Sequence, residues 1–206
     1  MERHLAYFNI GESYGGNQDW FTNVVMHIGG CGAATACDTC IYLALRKGME
    51  GLYPYDAHRL TQQDYKAFSM KMKPYLKPRR GGIDRLETYM EGFGSYLLDL
   101  GNEDGRALGM EPFYGERSAG EAKAAVKRQI DADLPVPFLL LHHRNREQFA
   151  DFIWHWFLLT GYEEREGRFC VTAATYGEAT VFDLEELWDT GYEKKGGMVL
   201  YSLGAQ

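Results

Sequence analysis

The run HIGGCGAATACDTCIYLAL, His27 to Leu45, is apolar or small at almost every position. Ala33, Ala34, Ala36, Ile41, Leu43, Ala44 and Leu45 surround it with apolar groups. A helix that is apolar on nearly all sides is buried on nearly all sides, so the pattern predicts a core helix over 31–47, stopped by Gly48. TQQDYKAFSMKMKPYL reads as an amphipathic helix. GIDRLETYMEGFGSYLLDLG reads as another, from near Asp84 to Gly101, weakened by its internal glycines. A short extended piece is expected over 107–114. Ser118 followed by Glu121 has the capping-box spacing and predicts a helix over 119–131. After Pro135 the period changes. PVPFLLLHH, IWHWFLLTGYEE, GRFCVTAAT and GGMVLYSL are short apolar runs bounded by turn residues, which is how buried strands read. DLEELWDTG between the last two suggests a short helix or turn, and the first thirty residues look irregular. Helices first and an antiparallel sheet afterwards is the layout of an α+β domain. No internal repeat or low-complexity tract interrupts it.

A chain of 206 residues is long enough for one substantial domain. The net charge of -7 argues against nucleic acid as a main partner, because phosphate binding needs a basic surface. One basic run, KMKPYLKPRR from Lys71 to Arg80, opposes that sign. It reads as a solvated loop or helix end, an acidic docking patch being the alternative. No stretch approaches the roughly 18 apolar residues of a membrane span, and the N-terminus lacks the pattern of a secretory signal. A cytoplasmic protein with reduced thiols and no membrane partner is expected. The cysteines are Cys31, Cys37, Cys40 and Cys170, three of them on one element, a poor layout for disulfides. Cys37 and Cys40 spell C-x-x-C, but no second pair or nearby paired histidine completes a zinc site. Core packing is the better reading; no metal and no cofactor is expected.

Cys31 is different. At the first turn of a helix it faces unpaired N–H groups and the positive end of the macrodipole, which favour a thiolate. Gly29, Gly30 and Gly32 remove side-chain bulk, so that a substrate backbone can approach. The same amides can hold an oxyanion. The other reading is a buried cysteine in a tight turn. A nucleophilic thiol needs a base, and the histidines are His4, His27, His58, His142, His143 and His155. His155 opens an otherwise apolar strand and is the leading candidate. His142 and His143 are weaker, and His27 lies too near Cys31 in sequence for a base brought in from a distant segment.

GGCGAATACDTCIYLAL resembles the nucleophile segment of papain-like cysteine peptidases, closest to the bacteriocin-processing (double-glycine leader) peptidases. HWFLLTGYEE resembles their histidine strand, and SAGEAKAAVKRQIDADLPVPFLLL the helix, Pro turn and strand before it. The resemblance covers roughly 17–60 and 117–206. It leaves residues 50–116, approximately, as a helical insertion within one domain spanning 1–206. It implies a papain-like fold, with a central N-terminal helix packed on an antiparallel sheet. It also implies thiol-protease chemistry, hydrolysis or acyl transfer at amide bonds of a peptide or protein substrate. Cys31 is then the nucleophile and His155 the base, with the thiol sulfur and a ring nitrogen about 3–4 Å apart.

Two positions depart from that family. Its histidine is usually oriented by Asn or Asp on the next strand, where this chain has Ala174. Alanine cannot accept the Nδ1 proton. Either the pair works as a dyad, or Thr172 or Thr175 orients the ring. The family's oxyanion glutamine lies six residues before the cysteine, and here that residue is Val25. Asn17, Gln18 and Asn23 are the substitutes within reach, Gln18 being favoured. Ala174 also supports an alternative, a catalytically inactive papain-fold protein that binds a peptide or protein partner through the cleft.

Overall fold

The computed structural model describes residues 1–79 and 82–204. Arg80, the end of the basic run, lies outside the described residues. The strands are β1 Glu2–His4, β2 Asn9–Ile10, β3 Ser13–Tyr14, β4 Leu108–Tyr114, β5 Val136–Leu140, β6 His155–Arg165, β7 Arg168–Thr175, β8 Glu178–Asp183 and β9 Gly197–Leu203. The helices are α1 Val24–Gly29, α2 Cys31–Lys47, α3 Gln62–Met72, α4 Leu86–Asp99, α5 Glu103–Ala107, α6 Ala119–Asp131, α7 Arg146–Phe149 and α8 Leu184–Trp188. The architecture is α+β: an antiparallel sheet in the order β4-β9-β5-β6-β7-β8, with β1 beside β6 and a separate β2-β3 ribbon.

The helix α2 spans the residues its pattern predicts. All of it is buried except Ala34, Leu45, Arg46 and Lys47. It ends because Gly48 turns left-handed, φ 67°, and because Arg46 and Lys47 suit the negative end of the helix. The capping box of α6 forms both ways: Ser118 Oγ accepts from Glu121 N at 3.2 Å, and Glu121 Oε2 accepts from Ser118 N at 3.0 Å. The central strand β6 is buried from His155 to Tyr162. It pairs with β5 as far as Leu159 and with β1 from Gly161, while a bulge against β7 marks the change of neighbour. Gly161 has no room for a Cβ, because the His4 ring sits against it. Where β5 leaves β9, Gln129 of α6 substitutes for the missing strand. Its Nε2 donates to Tyr201 O and its Oε1 accepts from Tyr201 N, both at 2.9 Å.

Residues 50–116 hold α3, α4 and α5 and finish in β4, which pairs with β9 over seven positions. This region also reaches the core directly. Tyr89 of α4 stacks on Trp156 of β6 at 4.4 Å, and Trp156 Nε1 donates to Ile83 O at 2.7 Å. The first thirty residues, expected to be irregular, contain β1 and α1. The three residues of β1 are all exposed and polar, so no burial pattern announces them. The strand β8 escaped the sequence reading for a similar reason. It is an edge strand with four of its first five residues outside the core. No helix is long and apolar enough to cross a membrane, among the described residues.

Candidate active site

Cys31 is the first residue of α2, and residues 31, 34, 35 and 38 form one stripe along that helix. This stripe, Gly16 and Gln18 from the N-terminal loop, His155, Trp156 and Leu158 of β6, and Ala174 to Tyr176 of the β7–β8 hairpin line one narrow cleft, with a cavity volume of about 20 Å³. Cys31, Gln18, His155, Ala174 and Thr175, chosen from sequence, therefore meet around one cavity. Thr172 does not line it; its carbonyl accepts from Thr160 Oγ1 on the neighbouring strand instead. Thr172 is the wrong choice because its register places it opposite Gly161, further along β6 from His155.

His155 is 6% exposed. Its Nε2 lies 2.8 Å from Thr175 Oγ1. The nitrogen facing the neighbouring hydroxyl is thus Nε2, not the Nδ1 assumed from sequence. Nδ1 lies 3.5 Å from the Tyr176 hydroxyl, at the limit of a hydrogen bond. The Tyr176 ring stacks flat on the imidazole, centroids 4.6 Å apart and planes 3° off parallel. A tight turn makes this placement, with Tyr176 at φ 50° and Gly177 at φ 76°. That pair of left-handed residues is the signature of a type I′ hairpin. The turn is tied to the N-terminal loop: Asn17 Nδ2 donates to Tyr176 O at 3.0 Å, and Tyr14 N to Gly177 O at 2.8 Å.

Burial decides the protonation of the pair. It lowers the His155 pKa from 6.5 to about 4, so the ring is neutral at pH 7. Cys31 is 5% exposed, and burial raises its thiol above the ordinary range. The N–H of Trp156 on β6, and those of Gly32 and Cys31 at the helix N-terminus, pull the other way and are outweighed. The thiolate expected from the helix position is therefore corrected to a neutral thiol. Among the described residues no hydrogen bond joins Cys31 to the His155 ring, whose partners are Thr175 and Tyr176. The glycines also serve differently from the expectation. A Cβ on Gly29 would lie 3.3 Å from Pro78, and one on Gly32 would lie 3.1 Å from Ile83 Cδ1. Their missing side chains admit the chain's own residues rather than open space for a substrate.

Gln18 is buried. Its Nε2 donates to His27 O at 2.7 Å with one of its two hydrogens, and its Oε1 has no partner. The other two amides are structural: Asn17 caps a short 3-10 turn at Gln18–Trp20, and Asn23 caps α1. His143 is held between Glu186 O and Asn145 N, at 2.9 and 3.0 Å, and His142 packs edge-on against Trp154. Cys37 and Cys40 are fully buried, and no cysteine is in a disulfide. Phe157 packs in the core against Phe138, centroids 5.2 Å apart, whereas Trp156 reaches the cleft.

Tyr176 and Asp38 are among the cleft residues missed from sequence. Tyr176 carries no signal beyond its place in a Tyr-Gly turn. Asp38 does carry one: it is the sole charged residue between Cys31 and Leu45, and a charge on an otherwise buried helix needs partners. Neither a protein-family model nor a curated protein matches this sequence.

Proposed function

We propose that this chain is a cysteine hydrolase or acyl-transfer enzyme acting on amide bonds of a peptide or protein, built on a papain-like arrangement of helix and sheet. The single observation that supports it is the convergence of Cys31, His155, Thr175 and Gln18 on one cleft from four separate segments. In this reading Thr175 accepts the Nε2 proton and leaves the Nδ1 lone pair for the thiol. His155 takes the Cys31 proton as sulfur attacks the carbonyl carbon. The oxyanion is held by the Cys31 N–H and the free hydrogen of Gln18 Nε2. The imidazolium returns the proton to the leaving amine, the C–N bond breaks, and a thioester remains on Cys31. Water, or another acceptor, then gives its proton to His155 and attacks the thioester, and the thiol is restored.

The neutral pair makes His155 a general base at the moment of attack, rather than half of a standing ion pair. The same neutrality favours a second reading, a cleft that binds a peptide without cleaving it. A peptide library incubated with the wild type, Cys31→Ala and His155→Ala separates the two. Cleavage lost in both variants supports the enzyme. Binding with no cleavage by the wild type supports the binding protein.

A further inference from the structure

Asp38 stands two helical turns beyond Cys31 on the cleft-facing stripe of α2 and is 6% exposed. Three donors engage its two oxygens. Oδ2 accepts from the Tyr7 hydroxyl at 2.7 Å, Oδ1 from the Tyr65 hydroxyl at 2.8 Å, and both from Gly16 N at 3.1 and 3.2 Å. The loop is fitted to this carboxylate. A Cβ on Gly15 would come within 2.6 Å of Asp38 Oδ2, and one on Gly16 would run into the Tyr65 ring. The next two residues of the loop are the ones that touch the site: Asn17 holds the turn of Tyr176, and Gln18 lies beside the Cys31 helix mouth.

We propose that Asp38 is a positioning residue whose buried carboxylate clamps the Gly15–Gln18 loop onto α2, so that one loop holds both Gln18 near Cys31 and the hairpin turn against His155. The proposal rests on the enzymatic reading for the word positioning, but the clamp itself does not. Among the described residues its partners are two phenols and a backbone N–H, not a cation. The titratable groups around it are Tyr7, Tyr65 and Cys37, all pushed well above their ordinary values. His155, across the cleft, titrates lower, near 4. Burial raises Asp38 itself to about 6, which leaves it the one cleft group that changes charge between pH 5 and 7.5. Its protonation removes a buried charge, which favours the fold, yet replaces charge-assisted hydrogen bonds to the loop with weaker neutral ones. Stability and loop order therefore move in opposite directions, which a merely structural residue would not produce.

Trp20, at the end of the same loop, meets the Tyr65 ring edge-on at 5.7 Å and reports its position. The full chain is labelled with 5-fluorotryptophan, and Trp20→Phe assigns the resonance. In the wild type the Trp20 resonance should shift through one titration with a midpoint near 6, and in Asp38→Asn it should stay flat. Tyr7→Phe removes one donor, keeps the ring, and should raise the midpoint. Below the midpoint the wild type should lose about tenfold in kcat with a rising melting temperature relative to Asp38→Asn, a loss of the size of one charge-assisted bond. A Trp20 resonance that does not titrate, or that titrates alike in wild type and Asp38→Asn, overturns the clamp. If no substrate is turned over at all, the enzymatic reading fails, while the fluorine titration still decides whether Asp38 holds the loop.

Discussion

Replacing Thr175 with valine removes one hydroxyl at nearly constant volume. That hydroxyl, at 2.8 Å, is the hydrogen-bond partner of His155 Nε2 in a site where the ring is 6% exposed. In the proposed reaction His155 takes the thiol proton, and Nε2–H then becomes the donor of a charge-assisted bond, worth about 1.5–3 kcal/mol. Losing it in the transition state corresponds to about a 10- to 160-fold drop in kcat/KM. The stranded ring nitrogen should also cost about 1–3 kcal/mol of stability. Single-turnover acylation measures the first, and urea denaturation the second. Nitrogen-15 NMR of the ring should show the Nε2–H tautomer in the wild type and a mixture in Thr175→Val. Thr175→Asn, whose side-chain oxygen can accept the same proton, should recover part of the rate. A Thr175→Val enzyme within twofold of wild type, with its tautomer unchanged, would refute the orienting role.

The titration of the cleft gives a further expectation. His155 has a folded pKa near 4 against an ordinary 6.5, so its stability contribution is full above 6.5 and is lost as pH falls toward 4, in all about 3 kcal/mol. Asp38, raised to about 6 from 3.8, runs oppositely: its contribution is greatest at low pH and is lost as pH rises through 6. The two nearly cancel in the wild type, and denaturation of His155→Gln at several pH values should uncover the Asp38 slope. Unchanged pH dependence in that variant would contradict the buried neutral imidazole. Tyr176→Ala should remove the stacked ring, admit water to His155 and raise its pKa toward 6.5, with several-fold faster alkylation of Cys31. An imidazole still near 4 in Tyr176→Ala would show that Tyr176 does not seal the cleft.

Most of the helical frame is legible in the sequence because local signals agree with burial. The all-apolar surface of α2 and the Ser118–Glu121 spacing each place a helix to the residue. The exposed strands β1 and β8 are not legible, since pairing rather than burial makes them strands. Of the site, Cys31 and His155, named on the resemblance, and Gln18 and Thr175, named as substitutes where the chain departs from it, line one cleft. Which threonine meets the ring depends on strand register and on the tight Tyr176–Gly177 turn. The protonation states could not be read from the chain either. A helix N-terminus favours a thiolate, but the sequence does not say that Pro78 and Ile83 will pack over it, or that burial will outweigh the amides. Asp38 was available as a lone charge on a buried helix; its partners Tyr7, Gly16 and Tyr65 come from loop and helix segments that no local pattern links.

In the proposed chemistry the sulfur of Cys31 accepts an acyl group with His155 as its base. Rapid acid quench of the wild type with a cleaved peptide, followed by peptide mapping of the protein, tests it directly. The expected result is a thioester adduct on Cys31, absent in Cys31→Ala and formed at least about 100-fold more slowly in His155→Ala, the low end for a missing general base. No adduct on Cys31 during turnover, or an adduct that forms equally fast without His155, would contradict it.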